Sequence, residues 1–206
     1  MKRLIVSSAF LVLFVFGVLA APSWAAITFD IYGYNHPSVF TAEVEVDLVG
    51  NELTFNITNN SVDILGVSVD NYLTAFAFNL SEGASVSNVS LIPVGWDYDT
   101  PVDYQAESQT FGDFLYGAYT IPFWQAGAPQ AGIPADETFT FIFTLAGLTS
   151  QDANNILGLN DNGWGFIARF QGDPLSDIAA VPLPGAVWLL GSGLLGLMAI
   201  RRRQNK

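Results

Sequence analysis

Three aspartates, Asp97, Asp99 and Asp103, lie close together in a polar segment near the middle of the chain. Calcium takes about six to eight oxygen ligands from flexible carboxylates and carbonyls, and acids at alternate positions around a turn suit that ion. The EF-hand pattern is incomplete, because the glycine and glutamate that it requires are missing. We predict either a structural calcium site here or a plain acidic loop. Asp161-Asn162-Gly163 is a second oxygen-rich segment, and equally a simple hairpin turn.

Two tryptophans, Trp96 and Trp124, lie in or beside long polar segments that cover residues 97–112 and 120–136. Tryptophan rings next to carboxylates hold sugars, because the ring stacks on the pyranose face and the carboxylate accepts hydroxyl hydrogen bonds. Trp96 and Trp124 are therefore the candidate carbohydrate-binding residues. Composition favours core packing for both, since aromatic residues make up 14% of the chain and most must be buried.

Catalytic chemistry has little support. His36 is the only histidine, so any Ser-His-Asp triad or histidine metal site would need it, yet its neighbours Asn35 and Pro37 indicate a loop. The nucleophile-elbow sequence Gly-x-Ser-x-Gly is missing. A pair of acids at glycosidase spacing has no diagnostic value in a chain with 19 acids. We expect no enzymatic activity and no cofactor, apart from the calcium considered above.

Charge is unevenly distributed along the 206 residues. Residues 26–180 hold all 19 acids and a single basic residue, Arg169, which gives this segment a formal charge of −18. Such a surface repels phosphate, and it has no basic stripe to release counterions, so we expect no nucleic-acid partner. The chain has no cysteine, which excludes disulfides, thiolate metal sites and a cysteine nucleophile.

Apolar and polar residues alternate along much of residues 26–180, as half-buried strands require. The clearest pair of strands covers 41–48 and 52–58 on either side of Gly50-Asn51, which is a hairpin signal. Further strand patterns occur at 27–31, 72–80, 85–92, 138–145 and 164–170, and 148–157 could hold one short helix. Seven to nine strands predict an all-β fold, an antiparallel β-sandwich of immunoglobulin-like or jelly-roll type. Residues 173–181 are predicted to be a tether that follows the sandwich.

The N-terminal segment has the three parts of a secretory signal peptide. Lys2 and Arg3 precede an apolar run from Leu4 to Ala20, and small residues follow before Ala26. We predict a signal peptide over residues 1–25, cut by signal peptidase before Ala26, with an uncleaved anchor helix as the alternative. The mature protein is then expected outside the cytoplasm.

The C-terminal segment has the character of a membrane span. Residues 185–200 carry no charge, and 16 residues of helix are about 24 Å long, slightly less than a bilayer core. Arg201, Arg202 and Arg203 follow directly, which places the tail in the cytoplasm by the positive-inside rule. We predict a C-terminal transmembrane helix that leaves residues 26–180 outside.

The last 26 residues resemble a known sorting signal. The motif Val181-Pro182-Leu183-Pro184, the glycine-rich span and the arginine cluster Arg201-Arg202-Arg203 are similar to the PEP-CTERM signal, in its Val-Pro-Leu-Pro variant. The resemblance implies that an exosortase, a membrane protease, cuts at the proline motif. It also implies a Gram-negative bacterium that makes exopolysaccharide. Leu183 departs from the commonest form, which has glutamate at that position.

The sequence thus predicts three parts: a signal peptide (1–25), an extracytoplasmic β-sandwich domain (26–180) and a sorting signal (181–206). We expect a non-enzymatic protein of the cell surface or extracellular matrix, associated with exopolysaccharide and transiently anchored in the inner membrane. One alternative is a carbohydrate-binding module, assisted by calcium. Two further alternatives are a glycoside-cleaving enzyme and a plain C-terminal anchor that no protease processes.

Overall fold

The computed structural model describes residues 26–62, 71–100, 111–121, 129–149, 153–172 and 175–181. These residues form twelve β-strands and one short α-helix: β1 (Ile27–Tyr32), β2 (Thr41–Val49), β3 (Glu52–Asn59), β4 (Tyr72–Leu80), β5 (Ser85–Leu91), β6 (Trp96–Asp99), β7 (Tyr116–Thr120), β8 (Ile133–Pro134), β9 (Thr138–Ala146), α1 (Ala153–Ile156), β10 (Leu157–Gly158), β11 (Phe166–Gln171) and β12 (Ser176–Val181). A 3₁₀ turn, Pro129–Ala131, precedes β8.

The strands form two antiparallel sheets. The five-stranded sheet has the order β1-β2-β3-β9-β5, and the larger sheet has the order β12-β11-β4-β7-β6, with β8 and β10 also paired to β4. The all-β class is therefore confirmed, with more strands than the sequence patterns indicate. Within the described part of the chain, no helix has the length and apolar character needed to cross a bilayer.

The predicted hairpin is confirmed at β2 and β3. Val49 pairs with Glu52, and Gly50 has a φ of 62°, the left-handed conformation that a two-residue turn requires. Alternate residues of both strands point into the core, while the acids of β2 and the threonines of β3 lie on the outer face. On that face Asn56 donates a 3.1 Å hydrogen bond to the Glu45 carboxylate and accepts one of 2.8 Å from Thr140.

Phenylalanine rings fill the space between the sheets. Phe55 of β3 meets Phe78 of β4 with ring centroids 4.8 Å apart, and Phe76 of β4 meets Phe141 of β9 at the same distance. Strands β3 and β9 of the five-stranded sheet therefore pack directly on β4. Such aromatic pairs add about 0.5 to 1.5 kcal/mol each beyond the burial of their surface.

The larger sheet is also covered on its outer face. Phe111 and Phe114 pack there with Ala75, Ala77 and Ile167 in a second apolar cluster. Because β4 and β11 are buried on both faces, they contain unbroken apolar runs, at 75–78 in β4 and 166–168 in β11, rather than alternating apolar and polar residues.

The prediction of a tether over residues 173–181 is wrong for most of that segment. Ser176–Val181 forms strand β12, which pairs with β11 over six residues. Asp177, Ile178 and Ala179 are buried. A tether would have no partner for its backbone, whereas here the edge of the larger sheet supplies one.

The first strand, β1, begins at the same end of the sandwich at which the last described strand, β12, ends. Asp177, near the start of β12, binds residues that follow the end of β1, so the two strands run in opposite directions. Ile27 and Val181 consequently lie at the same end, together with Gly50-Asn51 and Leu80, as the strand pairings place them. We call this the exit end, and the opposite end, which holds Asp177, the far end.

Candidate functional site

A polar cleft opens at the exit end. It has a volume of about 430 Å³ and lies between the end of β4, the residues that precede β7 and the turn that precedes β11. Its walls carry asparagine and aspartate side chains together with three leucines, Leu80, Leu115 and Leu159. A cleft of this size accommodates a small ligand.

Asn79 of β4 holds one wall of the cleft. Its carbonyl oxygen accepts a 2.8 Å hydrogen bond from the Leu115 backbone N–H, and its amide donates one of 3.3 Å to the Asp113 backbone carbonyl. Asn79 is buried, so these bonds replace the water that its amide would otherwise bind. These two hydrogen bonds fix the backbone of Asp113 and Leu115 relative to β4.

Asn160 joins this wall to the facing one. Its amide donates a 2.6 Å hydrogen bond to the Phe111 carbonyl, and its oxygen accepts 3.0 Å bonds from the backbone N–H groups of Asn162 and Trp164. Gly112 allows the close approach, because a Cβ atom there would lie 2.9 Å from the Asn162 amide nitrogen. The two walls are therefore braced before any ligand arrives.

Asp161-Asn162-Gly163 lies in a tight turn over Asn160–Trp164, although the strands on either side of it, β10 and β11, pair with β4 rather than with each other as in a hairpin. The Gly163 N–H donates to the Asn160 carbonyl at 2.9 Å, and Gly163 has a φ of 83°. Residues 161 and 162 are exposed at the top of this turn.

The exposed side chains of the cleft are two carboxylates, two leucines and the amide of Asn162. Asp113 and Asp161 are exposed, and Leu115 and Leu159 are 53% and 56% exposed. Carboxylates accept hydrogen bonds from hydroxyl or amine donors, and leucine side chains pack on C–H surfaces. The arrangement suits a polar ligand that is neutral or cationic and has one apolar face.

Trp96 does not have the exposed ring that a sugar platform needs. The side chain is 5% exposed, packs edge-on against Phe141 with centroids 4.9 Å apart, and donates a 2.8 Å hydrogen bond from Nε1 to the Ala131 carbonyl. The sugar-binding prediction for Trp96 is therefore wrong, and the core-packing alternative describes it. Trp124 lies outside the described residues.

Asp97 and Asp99 lie on an edge strand rather than in a loop. They occupy alternate positions of β6 and therefore share its outer face, where each carboxylate accepts a 2.8 Å hydrogen bond from the N–H of the following residue. Burial raises the pKa of Tyr119, which pairs with Asp97 across the strands, and both carboxylates raise it further. Asp103 lies outside the described residues, and those described contain no group of three or more potential metal ligands.

Tyr98 lies on the inner side of β6, between the two aspartates in sequence. Burial raises its pKa to about 12, and the Asp99 carboxylate acts in the same direction. The phenol therefore stays protonated well above the ordinary range of tyrosine.

His36 and Asp177 form the one Asp–His contact among the described residues, with Nδ1 3.4 Å from Oδ2. The Asp177 carboxylate is completely buried and accepts hydrogen bonds from the backbone N–H groups of Asn35, His36 and Ile178 and from the Asn35 amide. Gly33 leaves room for it, since a Cβ atom there would lie 2.6 Å from Oδ2. These bonds fasten the loop after β1 to β12, which is a structural role.

Sequence reasoning missed Asp177, Asn79 and Asn160. Asp177 follows a segment with the composition of a linker, and three of its four hydrogen-bond donors belong to Asn35 and His36, 142 and 141 positions away in the chain. One signal was readable: Trp96 and Tyr98 alternate with Asp97 and Asp99, which is the period of a strand. Residues 1–25 and the motif and tail residues Pro182, Leu183, Pro184, Arg201, Arg202 and Arg203 lie outside the described residues, which include only Val181 of the sorting motif.

The fold and the cleft define an all-β protein of two antiparallel sheets with an acidic cleft at one end. Comparison of the chain with protein-family models, curated proteins and solved structures gives no match in any of the three.

Proposed function

We propose that this chain is an exported, non-enzymatic protein of the bacterial cell surface or extracellular matrix, sorted by an exosortase through its C-terminal segment. The observation that carries the proposal is the position of the fold between the two predicted signals. Strand β1 begins at Ile27, one residue after the predicted signal-peptidase site, and β12 ends at Val181, the first residue of the proline motif. The described sheets therefore occupy the chain between the two predicted signals and share only Val181 with the sorting motif.

The charge of the sandwich supports the same proposal. A segment with a formal charge of −18 stays soluble outside the cell, and it attracts the divalent cations that bridge anionic exopolysaccharide. The immunoglobulin-like or jelly-roll subtype, the transmembrane helix and the inner-membrane stage belong to this proposal as well.

Motif variants test the sorting step. Pro182→Ala combined with Pro184→Ala should leave the C-terminal tail uncut, so that the protein accumulates in the membrane fraction at a higher mass than the wild type. Pro37→Ala is the matched control, because Pro37 lies in a loop at the far end of the sandwich. Equal processing of the wild type and the motif variant would refute sorting through this motif.

A second candidate function, carbohydrate binding, is favoured by the cleft. Its exposed carboxylates and leucines supply the hydrogen-bond acceptors and the apolar contact that a neutral or amino sugar requires. Trp124, and calcium at Asp97, Asp99 and Asp103, remain predicted contributors.

Affinity electrophoresis in gels that contain neutral, amino and uronic-acid polysaccharides tests this second candidate. Binding at the cleft predicts retardation that is lost on replacing Asp113 and Asp161 with asparagine. Replacing Glu43 and Asp47 with their amides makes the same change in net charge on the outer face of β2, and it should leave the retardation intact. Absence of retardation in every gel would refute the candidate.

A further inference from the structure

The sandwich is joined to the predicted membrane span by very little chain. Val181 is the last residue of β12, and the predicted span begins at Gly185. Four Cα-to-Cα steps cover at most about 14 Å when fully extended. The strand end therefore cannot lie farther than this from the start of the span.

Strand β12 supplies no extra length from within the fold. The Val181 carbonyl accepts a 3.1 Å hydrogen bond from the Gly165 N–H, and Val181 pairs with Phe166. At the other end of the strand, the buried Asp177 carboxylate holds it to the loop after β1. β12 is thus fixed over its full length, and the chain leaves the sandwich only at the exit end.

The exit end also carries exposed apolar side chains. Leu115 and Leu159 flank the cleft there, and each has more than half of its surface exposed. Exposure alone does not distinguish this end, because Val62 at the far end is 54% exposed. The short connecting segment does distinguish the exit end from the far end, because the chain runs to the predicted span from Val181 at the exit end.

We propose that the exit end lies against the lipid headgroups of the membrane in the unprocessed chain, with Leu115 and Leu159 at the interface. This inference rests on the proposed function, because it uses the predicted span. The partner is a lipid surface held in contact by the short connection rather than by charge. The exposed Asp113 and Asp161 carboxylates repel anionic headgroups, so cutting the proline motif would free the sandwich from the membrane.

The full chain reconstituted in phosphatidylcholine vesicles allows a direct test. Because the chain has no cysteine, each variant Leu115→Cys, Leu159→Cys or Val62→Cys carries a single attachment point for an environment-sensitive fluorophore. Val62→Cys is the matched control, with nearly the same exposure as Leu115 but at the far end. Headgroup spin-labelled lipid should quench the labels at positions 115 and 159 several-fold more than the label at 62.

A linker variant tests the cause of the contact. Inserting about 12 Gly/Ser residues after Val181 gives the connection an added root-mean-square span of about 19 Å. Quenching at positions 115 and 159 should then fall to the level at 62. Equal quenching at all three positions without the linker, or unchanged quenching with it, would overturn the inference.

The same vesicles separate this inference from the proposed function. Alkaline extraction shows first whether the chain is inserted in the bilayer. A chain that washes off refutes the membrane stage of the proposed function, and the inference with it. A chain that resists extraction while all three labels are quenched equally refutes only the orientation.

Discussion

The backbone N–H of His36 donates a 2.6 Å hydrogen bond to the carboxylate of Asp177, which lies 141 positions later in the chain. This contact joins the loop after the first strand to the last strand. It closes the fold at the far end, and it keeps β12 in place up to the residue at which the chain leaves the sandwich.

Replacing this carboxylate should destabilise the protein. Asp177→Asn removes the negative charge from a group that is completely buried among N–H donors, and we expect a loss of about 2 to 3 kcal/mol in the free energy of unfolding. Urea denaturation of the full chain measures the loss. Asp30→Asn makes the same chemical change on the exposed side of β1 and should alter the midpoint little. Equal effects of the two variants would contradict the anchoring role of Asp177.

Trypsin should cut the folded sandwich very slowly. Arg169 is the only lysine or arginine between residues 26 and 180, and it is buried in β11. Cleavage after Arg169 therefore requires unfolding, and a loss of 2 kcal/mol in Asp177→Asn should raise its rate about 30-fold. The peptide that ends at Arg169 is followed by mass spectrometry. Rapid cleavage there in the native wild type would show that β11 is accessible without unfolding.

Alkaline pH should weaken the fold through Tyr98. Its pKa is about 12 in the folded protein against an ordinary value of 10.0, so the folded chain keeps a proton that the unfolded chain releases. The resulting stabilisation is complete below pH 10 and is lost as the pH rises from 10 to 12. Tyr98→Phe should lose less stability than the wild type between pH 9 and pH 11, whereas Tyr32→Phe, at an exposed tyrosine, should behave as the wild type. An unchanged pH dependence in Tyr98→Phe would contradict this assignment.

Trp96 should matter for stability and not for polysaccharide binding. Trp96→Phe removes the hydrogen bond to the Ala131 carbonyl and part of the core volume, and we expect a cost of about 1 to 3 kcal/mol. Retention in polysaccharide gels should be unchanged under conditions in which the variant stays folded. A folded variant that loses retention would restore a sugar-binding role for Trp96.

The sequence pattern was most informative where each strand has one buried face. In β2 and β3 the alternation of apolar and polar residues, together with Gly50-Asn51, was enough to predict the hairpin and its buried side. Pattern was less informative in β4 and β11. Both faces of these two strands are buried, so an apolar run does not indicate which of its residues point toward the five-stranded sheet.

The elements that sequence missed depend on partners far away in the chain. Ser176–Val181 forms a strand because β11 pairs with it and because backbone N–H groups of the loop after β1 donate hydrogen bonds to Asp177. Neither partner can be recognised from the local composition. The cleft depends in the same way on Asn79 and Asn160, which brace segments distant from them in sequence. Local propensity does not reveal such contacts.

The most direct test of the proposed function is the intact mass and the terminal peptides of the native protein, measured separately in membrane and extracellular fractions. We expect the extracellular form to begin at Ala26 and to end within the Val181–Pro184 motif, so that the span and the arginine tail are both missing. Native protein that retains Arg201-Arg202-Arg203 in the membrane, with no shortened form outside, would contradict sorting by an exosortase and leave a plain anchored sandwich.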